Sequence, residues 1–284
     1  MILTIDIGNT TIHFGVYERD KLTAHFSIAT QPSRTPGEIA VQLKTLAKTH
    51  KLHPARAMRI IVCSVVPKMT AVLSEALKIF EAAQVRIVGQ DLNVPLKNRY
   101  KFPEQVGQDR LVGAYAAWWE FGAAPQGRPA RRSSERPRQR DARQSGRDCI
   151  VADFGTAITI DVVTKRGEYL GGVIAPGIGI SLEALATRTA LLPKVELREP
   201  PELLGRDTAN SIRSGILYGC VALCNGLVEE LKRLYVPEAV VVATGGNSEF
   251  IAKHSRVIDH LRPSLVLDGL HRLAKPSVLK FHNS

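Results

Sequence analysis

The chain says one phrase twice. Residues 3–17 read LTIDIGNTTIHFGVY and residues 150–164 read IVADFGTAITIDVVT. Laying Asp6 on Asp153 puts Gly8 on Gly155. Both copies then share one order: apolar strand, Asp-apolar-Gly, small hydroxyl residues, second strand. Three apolar residues carry each strand into a core, and the Gly permits the backbone bend of a tight hairpin. Thr and Asn side chains and bare N–H groups are left at the tip. A carboxylate at the strand end beside such a tip suits a metal-associated phosphate, and two facing copies would clamp a nucleotide polyphosphate. One copy alone is equally a plain β-hairpin. Two copies, each opening a half of the chain, constrain the whole architecture.

The 284 residues suffice for two compact domains of ordinary size. In the first half the pattern predicts strands near 2–7, 11–18 and 21–29, a helix near 37–50 and a buried strand at 58–64. A helix then runs from Pro67 to about Ala82, residues 84–89 return as a strand, and a helix from about Val106 to Phe121 ends at Gly122, read as its C-cap. The second half repeats the opening with strands near 149–153, 157–164 and 168–174. Helical patterns follow near 178–188 and 207–234, then a strand at 238–243, a TGGN turn and a further helix. The fold class is therefore α/β: a hairpin opening followed by alternating helices and strands, twice over, predicts two related domains with a nucleotide cleft between them. That plan resembles the actin-like (ASKHA, ribonuclease H-like) superfamily. The expected division is 1–122 for one domain, 123–148 for an insertion and 149–284 for the other.

Charge and composition exclude several classes. No apolar run approaches the ~18–20 residues of a membrane span, and the opening MILTIDIGNT lacks the basic-then-apolar order of a secretory leader. The four cysteines (Cys63, Cys149, Cys220, Cys224) have no zinc-site spacing and suit a reducing cytoplasm. The net charge of +11 suggests nucleic acid, but residues 126–147 hold eight Arg against Glu135 and Asp141, a net +6. More than half the excess thus lies in one segment rich in Arg, Ser, Gln and Pro with almost nothing to bury, which reads as a disordered, solvated insertion rather than a binding arm.

Phosphoryl transfer needs a cradle for phosphates, cations to spread charge and a base to position the attacking hydroxyl. Asp6, Gly8, Asn9 and Thr10 supply one cradle; Asp153, Gly155 and Thr156 supply another. Thr244, Gly245, Gly246 and Asn247 form a strand-to-helix turn whose glycines let backbone approach a ring or sugar. Residues 107–110 (GQDR) open the helix that closes the first half. An Asp there also suits the helix dipole whatever the function, and the Arg beside it could hold a carboxylate or phosphate in a fork.

Together six strings resemble the type III pantothenate kinase family: residues 6–10 (DIGNT), 107–110 (GQDR), 153–159 (DFGTAIT), 171–177 (GGVIAPG), 205–208 (GRDT) with the SIRSGI after it, and 243–247 (ATGGN). The resemblance implies ATP-dependent phosphorylation of pantothenate, the first step of coenzyme A synthesis, usually by a homodimer. It implies that Asp6, Ile7, Gly8, Asn9, Thr10, Thr11, Ile12 and His13 form the ATP phosphate loop, with Thr156 a further ATP contact. Asp109 matches the proton acceptor. Tyr100, Gly107, Gln108, Asp109, Arg110 and Thr208 match contacts to pantothenate, Thr208 near the dimer interface. Asp153 matches the ligand of a monovalent cation, potassium or ammonium, and a divalent cation such as Mg2+ accompanies ATP. The Arg-rich insertion departs from the family pattern. The competing readings are a sugar kinase of the same superfamily and a nucleotide-binding transcriptional accessory protein.

Overall fold

The computed structural model describes residues 1–50, 59–78, 84–123 and 146–275. Most of the Arg-rich insertion, residues 124–145, lies outside the described residues. The chain forms two compact units, neither contiguous in sequence. The first takes residues 1–95, 104–116 and those from 265 onward; the second takes 96–103 and 117–264. A linear division at 122 and 149 would assign the last helix to the second unit, whereas its contacts return it to the first.

In the first unit β1 (Ile2–Ile7), β2 (Thr11–Glu18) and β3 (Lys21–Ala29) form an antiparallel meander. Strands β4 (Arg59–Ser64) and β5 (Gln84–Ile87) add parallel to β1, so the sheet runs β3-β2-β1-β4-β5. Strand periodicity sorts its faces. Ile5, Ile7, Ile12 and Phe14 point to one side and are fully buried with Ile39 and Leu43 of α1 (Pro36–Thr49) and Met69 and Leu73 of α2 (Pro67–Lys78). Helix α1 begins where the sequence demands it. Thr35 and Glu38 make a reciprocal capping box, with Glu38 N–H donating to Thr35 Oγ1 at 3.3 Å and Thr35 N–H to Glu38 Oε2 at 2.7 Å. Such caps typically contribute ~1 kcal/mol. The opposite face of the sheet carries Thr4, Asp6, His13 and Cys63, and there lie α3 (Gln108–Ala117) and the C-terminal helix, introduced below.

The second unit repeats the order strand for strand. Strands β7 (Cys149–Phe154), β8 (Ala157–Val163) and β9 (Glu168–Pro176) form an antiparallel meander. Strand β10 (Val240–Thr244) lies parallel to β7, and β11 (His260–Leu261) parallel to β10. The order β9-β8-β7-β10-β11 is that of the first sheet. One strand is extra: β6 (Lys97–Asn98), from the irregular segment, pairs with the free edge of β9. The core of this unit lies between Ile150, Phe154, Ile158 and Ile160 and α5 (Thr208–Leu234), preceded by α4 (Ile178–Arg188). At 27 residues α5 is long and apolar enough to cross a membrane. Its Leu217, Cys224 and Val228 are buried in the sheet's core, which accounts for that apolar character. A short α6 (Ser248–Ala252) follows β10, and α7 (Leu265–Leu273) closes the described chain.

Two local expectations are corrected. The helix closing the first half stops being α-helical at Ala117, and a π-turn over Trp118–Gly122 follows, with Ala123 N–H donating to Trp118 O at 2.6 Å. Gly122 is not a left-handed C-cap. It is buried because a β-carbon there would stand 2.7 Å from Trp118 Cδ1 and 2.9 Å from Arg147 O. The Trp118 ring and the returning chain at Arg147 therefore decide this turn.

Candidate active site

The first hairpin is built around a tip of four residues, 8–11. Ile7 pairs with Ile12 at the end of the ladder, and Gly8 N–H donates to Thr11 O at 3.0 Å. The start of the next loop braces the tip. Thr30 N–H donates to Thr10 O at 2.9 Å and Thr30 Oγ1 to Gly8 O at 2.7 Å. Asn9 and Thr10 remain exposed, whereas Ile7 and Ile12 are fully buried. Of the phosphate-loop residues named from the sequence, these two therefore offer only backbone.

Asp6 and His13 face each other across the strands on the side away from that core. His13 is stacked on His25, ring centroids 5.7 Å apart. Burial, and then the neighbouring His25, hold the His13 pKa below its ordinary value, which favours the neutral ring at pH 7. On its other flank Asp6 lies beside Cys63 in the parallel register. The Cys63 thiol is fully buried and its pKa is pushed well up, first by burial, then by the carboxylates of Asp6 and of Asp109. The phosphate-loop carboxylate and the expected base thus share one buried thiol as neighbour.

Asp109 stands in the first turn of α3. Its Oδ1 accepts from Arg110 N–H at 2.8 Å, and Leu111 N–H donates to Gly107 O at 3.3 Å to start the helix. The Asp109 carboxylate folds back over Gly107, in space a β-carbon would take. Gly107 therefore fixes the carboxylate's direction as much as it starts the helix. A second glycine holds the next side chain: Gly89, at φ +86°, sits where a β-carbon would come within 2.9 Å of Gln108 Cδ. Asp6, His13, Gly107, Gln108, Asp109 and Arg110 are all half-buried, in reach of both solvent and one another's elements.

In the second unit the hairpin tip is one residue shorter, and Gly155 N–H donates to Ala157 O at 3.2 Å. Asp153 pairs with Thr159 of β8 and Thr244 of β10. Immediately after β10, Gly245 adopts φ +91°, and a β-carbon there would collide with Asp153 Oδ1 and stand 2.7 Å from the Phe154 backbone. Asn247 N–H closes the turn onto Phe154 O at 3.2 Å. Gly177, the N-cap of α4, touches the tip from the other side; its β-carbon would lie 2.5 Å from Gly155 O and closer still to Thr156 O. The TGGN turn, the second hairpin and the end of GGVIAPG thus converge on Asp153 and Thr156. Tyr100 belongs to this unit too, its ring 3.2 Å from the β-carbon position of Gly171, at φ +122°. Thr208 is the exposed first residue of α5, after Asp207, whose Oδ1 caps Asn210 N–H at 2.8 Å.

The sequence motifs missed three supporting residues and one pairing. Cys63 looked like one more scattered cysteine, Thr30 had no signal at all, and Gly89 and the pairing of Gly245 with Asp153 depend on contacts between distant segments. Only the β4 register could have foretold Cys63, since a parallel neighbour of Asp6 must share its face.

The family model for type III pantothenate kinase matches residues 2–126 and 139–230. The chain belongs to this family. A type III pantothenate kinase 1 of Symbiobacterium thermophilum is 40% identical over 273 residues, covering 95% of this chain and 94% of that one. The type III pantothenate kinase of Moorella thermoacetica is 35% identical over 270 residues, covering 95% and 97%. Among solved structures, a candidate Baf family transcriptional activator from Campylobacter jejuni aligns with TM-score 0.57 at 16% identity, over 99% of this chain and 100% of that one. A candidate 2-dehydro-3-deoxygalactonokinase from Sinorhizobium meliloti aligns with TM-score 0.51 at 13% identity, over 96% and 98%. Both show the fold, the actin-like one. The gap in the family match, residues 127–138, falls inside the Arg-rich insertion.

Proposed function

We propose that this chain transfers the γ-phosphoryl group of ATP to the hydroxyl of pantothenate, giving 4'-phosphopantothenate at the entry to coenzyme A synthesis. The observation that carries this reading is membership of the type III family in a chain that keeps both the Asp6 hairpin and Asp109 at the start of α3 within one unit. The first hairpin holds the ATP phosphates through the backbone N–H groups and hydroxyls of residues 8–11, with His13 a neutral partner beside Asp6. Gly107, Gln108, Arg110, Tyr100 and Thr208 bind pantothenate, Arg110 as a fork for its carboxylate. Asp109, aimed by Gly107, accepts the proton of the attacking hydroxyl. Thr156 adds an ATP contact.

The residues present fit the two cations. Among the described residues no three His, Cys, Asp or Glu side chains gather into a metal cluster. A cation here is then held by single carboxylates, backbone carbonyls and substrate phosphates, the hard oxygen set of Mg2+ and potassium. Asp153 would hold potassium or ammonium, a reading supported by Gly245, whose missing β-carbon leaves room for Oδ1 at the end of the second hairpin. Bound cations would spread the charge of the transferring phosphoryl group.

A homodimer is supported by α5. Ser211, Gly215, Gly219, Ala222 and Gly226 form an exposed row at helical spacing, and Leu191, Leu203 and Leu204 are exposed too. Such a row admits a second backbone closely. Cytoplasmic residence is supported by four cysteines that are all buried and unpaired. The test is direct: purified protein with ATP, Mg2+ and pantothenate, followed by mass spectrometry. The expected product is pantothenate heavier by one phosphoryl group, formed with one ADP. ATP turnover on a hexose but not on pantothenate would replace this reading with the sugar-kinase one.

A further inference from the structure

The C-terminal helix α7 is buried almost all round, with Leu265, Val266, Leu267, Leu270, His271 and Leu273 inside the first unit. Polar contacts fix its register on the sheet. Tyr17 Oη donates to Asp268 Oδ1 at 2.6 Å, the Tyr17 ring stacks on His271 at 4.2 Å, and His271 Nε2 meets Arg19 O at 2.8 Å. Arg59 Nη1 donates to Ala274 O at 3.1 Å just past its end. A helix pinned so firmly on one side acts as a fixed surface on the other.

On that other side the tightest approach to α3 given by a glycine of α7 is at Gly269. A β-carbon on Gly269 would stand 2.7 Å from both Val112 Cγ1 and Val112 O and 3.3 Å from Ala116 Cβ. The carbonyl matters most, since a side chain can turn aside and a backbone carbonyl moves only with its helix. Val112 lies one turn along α3 from Asp109. From this contact we infer that Gly269 is a positioning residue for the reaction. By letting α3 settle against α7 it sets where the Asp109 carboxylate stands. The inference rests on the reading of Asp109 as the base. It adds a residue distant in sequence, in a helix that the first half of the chain does not encode.

A control position lies one residue from Val112. Gly113 also faces α7, but a β-carbon there would sit 3.8 Å from Val266 Cγ2, an ordinary contact. Gly113→Ala should therefore leave kcat at the parent value. Gly269→Ala must displace α3, and misplacement approaching an ångström costs up to about a hundredfold in rate. We expect kcat to fall by about tenfold or more while the KM for ATP stays within about twofold, because the phosphate loop lies on β1 and β2. Val112→Ala loosens the contact without wedging it, so it should lower kcat by a smaller factor with the same unchanged KM. It tests the inference even where Gly269→Ala does not fold.

The measurement is steady-state kinetics of the full-length variants, with circular dichroism confirming the folded state at the assay temperature. Parent kcat in a folded Gly269→Ala, or in Val112→Ala, overturns the inference. So does a rise in the KM for ATP parallel to the fall in kcat, which marks general loosening. The two assignments separate cleanly. An inactive Asp109→Asn with a fully active Gly269→Ala sinks only the role of Gly269, whereas a fully active Asp109→Asn removes the base itself.

Discussion

The two hairpins share topology and differ in how their tips are finished. In the first, Asp6 lies beside a buried thiol, Cys63, and a four-residue tip is braced by Thr30. In the second, Asp153 lies beside Thr244, and a shorter tip is packed against Gly177 and Gly245. Following the strand register, Ser64 stands after Cys63 where the left-handed Gly245 stands after Thr244. On the proposed reading the longer tip faces phosphate oxygens, and the missing β-carbon at 245 leaves room for the Asp153 carboxylate to serve a cation. One scaffold occurs twice, and a few residues at each tip set the two copies apart.

The sharpest break in this comparison is at Asp109, the proposed base, which lies in the first unit. Asp109→Asn keeps shape and loses proton affinity, so turnover should fall ~10²–10⁴-fold with an unchanged melting curve. Near-parent kcat for pantothenate would show that the first unit does not supply the base.

Next comes the exchange of the distinguishing residue. Gly245→Ser puts the first unit's residue type into the second unit's turn. A non-glycine residue in the left-handed region costs about 1–3 kcal/mol, and here the new side chain also meets Asp153. Loss of stability on chemical denaturation should accompany loss of the potassium response. An unaffected response would mean that the bare α-carbon at 245 is not needed for the cation.

The units should also part company in acid. Among the described residues, three histidines have their pKa lowered by burial, His13, His25 and His271, and all lie in the first unit. Unfolded, they take up protons near pH 6.5; folded, they resist until lower pH. Their contribution is thus complete above about pH 6.5 and lost as pH falls through the depressed values. Hydrogen exchange on acidification should therefore open β1–β3 before β7–β9. The reverse order would contradict it.

The smallest effect is expected at the Arg-rich insertion. Replacing residues 124–145 by a short Gly/Ser link should leave kcat and the oligomeric state unchanged and lower the isoelectric point. The segment has nothing apolar larger than Ala or Pro, and loop closure changes by only about 0.6 kcal/mol per doubling of length. A monomeric or inactive product, by size-exclusion chromatography and assay, would give the segment a structural role.

How much of this was legible follows the same division. Local patterns gave the hairpins and most of the strands and helices, because alternation and flanking turn residues act within a few positions. The expected helix at 37–50 is Pro36–Thr49, and the expected 207–234 is Thr208–Leu234. What failed was non-local. Nothing near Lys97 announces that it will extend the edge of β9. Nothing in the run before Lys275 says that α7 returns to the first sheet. At the site, motif residues were visible as residues, but Cys63, Thr30, Gly89 and Gly269 matter only through what they touch.

The central claim is that the second hairpin serves the cation while the first serves the phosphates. It is tested most directly by titrating potassium into parent protein and Asp153→Ala at saturating ATP and pantothenate. The account predicts that parent activity rises from a low value in sodium or Tris to a plateau, while Asp153→Ala stays low and flat across the titration. A parent enzyme indifferent to potassium, or an Asp153→Ala curve that keeps the parent's midpoint and amplitude, would contradict it.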